Sequence, residues 1–196
     1  ADALVQIGTL TAPQLHALRA AIDTRQNILI SGGTGTGKTT LLNALTAFLP
    51  PSDRVVLIED TAELQLDAEN LVRFEARREQ PGLPAISIRD LLRATLRHRP
   101  DRILVGEVRG GEAFDLLQAL NTGHSGTLST IHANAADQAL SRFTSCVLQS
   151  GVELPYPAIR YSIAECLQVL VHLERRAGRR VVTELVRVER SSESPA

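Results

Sequence analysis

The chain has 196 residues, 43% of them apolar and 22% charged, which is enough for one globular domain with a core of its own. Its formal net charge is −1 and its aromatic content is 3%, so global charge gives no reason to expect direct nucleic-acid binding. No apolar run approaches the ~20 residues of a membrane-crossing helix. The two cysteines, Cys146 and Cys166, form no CxxC pair and cannot build a four-Cys zinc site. They read as small core residues and suit a reducing cytoplasm. The opening ADALVQIG lacks a basic segment followed by an apolar core, which argues against an intact secretory signal. Position 1 is not Met, so the sequence is expected to be part of a longer protein.

The first pattern in chain order is a helix over 11–24. Thr11 stands as its cap, Pro13 lies in its first turn, and Leu15, Leu18, Ala21 and Ile22 share one face. Asn27–Ile30 is a short apolar run, read as a buried strand. A Gly-rich turn follows, then a helix over TTLLNALTAFL (39–49) that Pro50-Pro51 ends. Val55–Ile58 is a second buried strand, and a third lies near Leu71–Phe74. Pro81, Gly82 and Pro84 mark a loop. Ser87 caps a helix over 87–97. Beyond it come a strand at Arg102–Val105, a helix at Gly111–Asn121 and a strand at Gly126–Ile131. Helices are expected at Ala135–Gln149 and Ala158–Leu167. Gln168–Leu173 and Arg179–Val188 alternate around Ala177-Gly178, a hairpin signal. SSESPA closes the chain as a polar tail, with disorder expected over 191–196. Strands alternating with helices predict an α/β fold, a mostly parallel sheet flanked by helices with a C-terminal β-hairpin.

Gly32-Gly33-Thr34-Gly35-Thr36-Gly37-Lys38-Thr39 fits G-x-x-x-x-G-K-[ST] in full, after a predicted strand and at the head of a predicted helix. Glycines let such a loop approach phosphates closely, and successive N–H groups at a helix N-terminus make an anion-binding nest. Gly33, Thr34, Gly35, Thr36, Gly37, Lys38, Thr39 and Thr40 are therefore the candidate nucleotide-binding residues. Lys38 supplies a mobile positive charge for the β- and γ-phosphates. The Thr39 hydroxyl can join a Mg²⁺ shell, which wants hard oxygen ligands.

Binding alone does not explain hydrolysis, which needs a carboxylate for the metal's water shell and a group to orient or deprotonate water. Glu107 ends the buried run Ile103–Val105 plus Gly106, and Glu59-Asp60 ends Val55–Ile58. Both acids fall at the carboxyl edge of the predicted sheet, where open α/β sheets bind ligands. An acid in such a place is otherwise a solvated strand end or a helix cap.

Three further segments complete a known set. RVVLIEDTAEL (54–64) resembles an Asp box, ILVGEVRGGEAFDLLQAL (103–120) a Walker B segment, and TGHSGTLSTIHAN (122–134) a His box. With the P-loop, in this order and spacing, they resemble the secretion ATPase superfamily over about residues 25–175. Within it the chain is most similar to the VirB11 branch and its TrbB-type conjugal-transfer ATPases. The tight link from Walker B to His box, the lack of a four-Cys insertion and the closing hairpin carry that finer likeness.

The resemblance implies a RecA-like P-loop NTPase domain over 27–190, preceded by a linker and lead-in helix over 1–26. The family's N-terminal domain would be largely absent. It implies Mg²⁺-dependent ATP hydrolysis by a hexameric ring that powers a type IV secretion or conjugation apparatus. The ring would sit at the cytoplasmic face of the bacterial inner membrane, peripheral at most, beside inner-membrane components. ATP rather than GTP rests on the family alone. Glu59 would be the water-activating base with Asp60 in support. Glu107 would hold the Mg²⁺ water shell or share the base role. His132 would sense the γ-phosphate, with His124 secondary. His16, His98 and His172 read as surface residues. Among the many arginines, Arg77 and Arg78 are placed to reach a neighbouring subunit, and Arg109 to pair with a local acid. Competing readings are a pilus or type II secretion motor, a RecA-like DNA-binding ATPase, and a nucleotide-gated module without turnover.

Overall fold

A computed structural model describes residues 1–189; the expected tail at 191–196 lies outside the described residues. Seven strands form one sheet: β1 (Ile28–Gly32), β2 (Val55–Glu59), β3 (Leu71–Glu75), β4 (Arg102–Val108), β5 (Leu128–His132), β6 (Val169–Arg176) and β7 (Arg179–Arg187). Their order is β3-β2-β4-β5-β1-β6-β7. Every neighbouring pair is parallel except β6–β7. The helices are α1 (Asp2–Gln6), α2 (Ala12–Asp23), α3 (Lys38–Thr46), α4 (Ile88–Thr95), α5 (Glu112–Asn121), α6 (Ala136–Leu148) and α7 (Tyr156–Cys166). Within 1–26, expected as a linker and lead-in helix, the short helix α1 precedes α2.

The central strands have no polar face because helices cover both sides of the sheet. Val56, Ile58, Ile103 and Val105 point to the side of α5, α6 and α7, with Leu116, Phe143 and Ile163 packed on them. Ile28, Ile30, Leu57, Leu104 and Leu128 point to the side of α2 and α3, against Leu18, Ile22, Leu41 and Leu45. Each such buried side chain contributes ~1.5–3 kcal/mol. Cys146 and Cys166 are buried and unpaired, core residues as expected.

Local chemistry fixes the helix starts. Thr11 and Gln14 make a reciprocal capping box at α2, and Ser87 and Asp90 make another at α4. At the hairpin tip Ala177 (φ 47°) and Gly178 (φ 79°) are both left-handed, the signature of a two-residue primed turn. Around the predicted loop at Pro81, Arg77 bridges Ile86 and Gln80 bridges Leu83, both antiparallel.

At the opposite edge of the sheet from the strands' carboxyl ends lies a buried ion pair. Arg102 is 1% exposed, and its Nε donates to Asp53 Oδ2 at 2.7 Å while Nη1 donates to Ile22 O at 3.1 Å. Arg25 holds the other Asp53 oxygen at 2.9 Å. A Cβ on Gly126 would strike the Arg102 guanidinium, so this glycine makes room for the pair. Asp53→Ala leaves Arg102 buried without a counter-charge. It is expected to lower stability by ~3–5 kcal/mol and the thermal midpoint by roughly 10 °C. Calorimetry checks this, and an unshifted midpoint refutes the role given to the pair.

Among the described residues no helix is long and apolar enough to cross a membrane.

Candidate functional site

The strands β2, β4, β5 and β1 are consecutive in the sheet and parallel. Their carboxyl ends carry Glu59, Glu107, His132 and Gly32 respectively. Four sequence motifs separated by up to a hundred residues therefore open onto one edge, the ligand edge of an α/β sheet.

The P-loop occupies the turn from β1 to α3. Gly35 (φ 72°) and Gly37 (φ 96°) adopt left-handed backbone, which side-chain-bearing residues avoid. A Cβ on Gly32 would stand 2.6 Å from Leu173 O and from Thr36 Oγ1, so only glycine fits there. Thr36 Oγ1 donates to Gly33 O at 2.9 Å and stiffens the loop. The first intrahelical bond of α3 is Leu41 N to Gly37 O. The N–H groups of Lys38, Thr39 and Thr40 thus have no intrahelical carbonyl and form a receptor for an anion.

Lys38 Nζ donates to the carbonyls of Gly32 and Gly33, each at 3.0 Å. An ammonium has three donors, so one remains for a phosphate. Burial pulls the Lys38 pKa below the ordinary lysine value; Glu107 opposes this and Arg109 adds to it.

The acids differ in setting. Glu59 is buried; its Oε1 accepts the backbone N–H of Glu63 and of Leu64, both at 2.9 Å. Its Oε2 lies 3.8 Å from Arg73 Nη1. This carboxylate therefore holds the loop that follows β2. A Cβ on Gly106 would meet Glu59 Cγ at 3.2 Å, which is why β4 carries glycine beside it. Strand β4 runs longer than predicted, and its register with β5 shifts between Val105 and Val108. Such a bulge re-aims a side chain; here the displaced residues are Gly106 and Glu107, and Thr130 Oγ1 donates to Gly106 O.

Arg109 grips Glu107 Oε2 through Nε (3.0 Å) and Nη2 (2.8 Å), and reaches Asp60 Oδ2 through Nη1 (3.2 Å). The hydrogen bond to Glu107 raises the Arg109 pKa first, its charge second. The expected local pairing of Arg109 is thus present. Thr39, Glu59, Asp60, Glu107 and Arg109 line one cleft. Among the described residues no group of three or more His, Cys, Asp or Glu side chains could hold a metal by itself.

His132 is exposed and in register with Gly32 across β1 and β5. His124 precedes β5, at the far edge of the sheet, with Nδ1 3.2 Å from Ala119 O. It lies about 15 Å of strand from the P-loop edge, so its secondary candidacy for the site fails. His172 corrects a second expectation. It is 1% exposed rather than a surface residue, because β6 is flanked by β1 and β7 and covered on both faces. Its Nδ1 lies 2.8 Å from Ser31 Oγ, and Ser31 Oγ donates to Val171 O at 3.2 Å. The sequence reading missed this brace beside the P-loop. Its signal was the apolar residues on both sides of His172, Val169–Val171 and Leu173.

Several arginines are already engaged. Arg89 and Arg93 share Asp115, Arg73 donates to Leu64 O, and Arg77 donates to Pro84 O at 3.1 Å. Arg78 is exposed and joins no ion pair among the described residues.

Sheet order, P-loop and acid-tipped neighbouring strands define a RecA-like P-loop nucleotide-binding domain. The chain belongs to the family described as "Type II/IV secretion system protein", which matches residues 3–194. It is 43% identical over 191 residues to the conjugal transfer protein TrbB of Rhizobium radiobacter, covering 96% of this chain and 56% of that one. It is 48% identical over 173 residues to the type IV secretion system protein PtlH of Bordetella pertussis, covering 84% and 51%. Among solved structures, the VirB11 ATPase of the Brucella suis type IV secretion system superposes with a TM-score of 0.82 at 34% identity, over 94% of this chain and 54% of that one. The chain spans about half the length of the relatives it matches.

Proposed function

We propose that this chain is the ATP-hydrolysing domain of a ring-forming motor that powers a type IV secretion or conjugative transfer apparatus. The observation that carries the reading is the convergence of Lys38, Glu59, Glu107 and His132 on one edge of four adjacent parallel strands. The kinship with TrbB, PtlH and VirB11 supports the choice of system. In this reading residues 27–190 form the catalytic domain, and the remaining part of a longer protein supplies further contacts. The motor works at the cytoplasmic face of the inner membrane through partner proteins.

The P-loop N–H groups and Lys38 hold the β- and γ-phosphates. Glu59 orients and deprotonates the attacking water, with Asp60 beside it. His132 reports the state of the γ-phosphate from the end of β5, in register with Gly32 at the end of β1. The oxygen donors fit Mg²⁺, because this ion is held by one or two carboxylates plus substrate phosphates rather than by an all-protein cage. Thr39 and Glu107, with Asp60, would hold it, and when bound it neutralises charge on the phosphates. A cation from a neighbouring subunit completes the site, and Arg78 has the exposure for that task.

The test is ATP turnover per subunit with Mg²⁺ across a wide range of protein concentration. Specific activity is expected to rise with concentration as neighbours complete each site. Activity independent of concentration refutes the shared site. ATP binding without turnover at any concentration makes this chain a nucleotide-gated module instead.

A further inference from the structure

One buried polar side chain lies outside the cleft and has no part in its chemistry. His172 stands in β6 between Val171 and Leu173. Ser31 faces it across the β1–β6 ladder, one residue before the P-loop. His172 is 1% exposed and Ser31 0%, so the pair cannot meet a substrate and the hydroxyl is no nucleophile. The Ser31 hydroxyl donates to Val171 O at 3.2 Å. Its oxygen therefore accepts from the imidazole, whose Nδ1 is 2.8 Å away. The other ring nitrogen, Nε2, is buried without a hydrogen-bond partner. Glu174 Oε1 lies 3.8 Å from it, beyond hydrogen-bond reach, and the second Glu174 oxygen is held by Arg176 at 2.8 Å.

A buried nitrogen without a partner is costly, and a valine or leucine at 172 would continue the apolar run with no such cost. What the imidazole supplies instead is its bond to Ser31. That bond falls where the sheet is weakest. The register of β6 with β7 shifts between His172 and Leu173, and a shift of this kind interrupts the backbone ladder. Thr183 Oγ1 reaches His172 O there at 3.4 Å, a long contact. The next residue pair along β1 and β6 is Gly32 with Leu173, and a Cβ on Gly32 would stand 2.6 Å from Leu173 O. Gly32 O in turn accepts from the Lys38 ammonium at 3.0 Å. A line of contacts thus runs from His172 through Ser31 and Gly32 to the lysine.

We propose that His172 is a positioning residue for the phosphate loop. Through Ser31 it fixes the end of β1 beside the irregularity in β6, and so fixes the Gly32 carbonyl that orients Lys38. It touches no phosphate itself. The assignment rests on the nucleotide-binding reading of the P-loop, and adds to it a residue that lies outside all four sequence motifs.

Calorimetric titration of the full chain, well below its unfolding temperature, tests this with ATP and with inorganic pyrophosphate. The variants are Ser31→Ala, His172→Leu, the two combined, and His172→Asn. The loop holds phosphates, so both ligands are expected to weaken together, roughly 3- to 10-fold in Ser31→Ala and in His172→Leu, the scale of one hydrogen bond. The combined variant is expected to lose no more than either single one, because both remove the same bond. Asparagine can set an amide nitrogen near the place of Nδ1, so His172→Asn is expected to keep most of the affinity. A merely structural histidine would lower the thermal midpoint and leave the affinity of the folded protein unchanged. Unchanged affinity in Ser31→Ala and His172→Leu therefore overturns the proposal. Losses that add in the combined variant also overturn it, as does His172→Asn binding no better than His172→Leu. Ser31→Ala removes one oxygen and adds no bulk, so its affinity decides the question if the leucine variant does not fold. Wild-type protein that binds neither ligand overturns the P-loop reading itself.

Discussion

Lys38→Ala is expected to lower ATP turnover by about 10²- to 10³-fold while the domain stays folded. The lysine does two things. Its ammonium braces the loop through the carbonyls of Gly32 and Gly33, and its remaining donor faces the site of charge development. Bracing is replaceable, since Thr36 Oγ1 also ties Gly33 O and Gly32 is packed against Leu173 O. Charge is not replaceable: among the described residues the other cations near this cleft are engaged, Arg109 by Glu107 and Asp60 and Arg73 by Leu64 O and Glu59. Thermal unfolding of the variant is therefore expected within a few degrees of wild type, and the loss appears in phosphate release. A variant that keeps wild-type turnover refutes the P-loop as the catalytic centre of this chain.

Legibility in the sequence followed the range of the interaction. The P-loop was readable because its requirements are local: positive φ at Gly35 and Gly37, a cation next to them, a helix start. The hairpin was readable for the same reason, since Ala177-Gly178 sets its own turn. Caps at Thr11 and Ser87 act over three residues and were also read correctly. What escaped was set by distant partners. His172 stands among apolar neighbours, and its burial depends on β1 and β7 flanking it. Arg102 looks like the polar start of a strand, yet Asp53, 49 positions earlier, makes it a core residue. The bulge at Gly106–Glu107 reflects pairing with β5 more than any property of its own segment. The motif positions of Glu59 and Glu107 were clear from strand ends, but their different settings were not: one is bound by two backbone N–H groups, the other by an arginine.

That difference yields a second large effect. Glu59→Gln is expected to lower turnover by about 10²-fold or more, with ATP affinity little changed. The amide keeps an oxygen for the N–H groups of Glu63 and Leu64, so the loop after β2 survives. What it removes is the charge and basicity of Oε2. Glu107→Gln acts otherwise. It removes the carboxylate charge from the pair with Arg109 and from the metal's water shell, and is expected to raise the Mg²⁺ concentration for half-maximal turnover by roughly 10-fold, the size of effect seen when an outer-shell ligand is lost. Excess Mg²⁺ then restores part of the rate in Glu107→Gln and none of it in Glu59→Gln. Turnover measured against Mg²⁺ for both variants separates the roles. Restoration in Glu59→Gln alone would exchange them, making Glu107 the base, with the β4 bulge aiming it at water, and Glu59 a carboxylate that only shapes the loop.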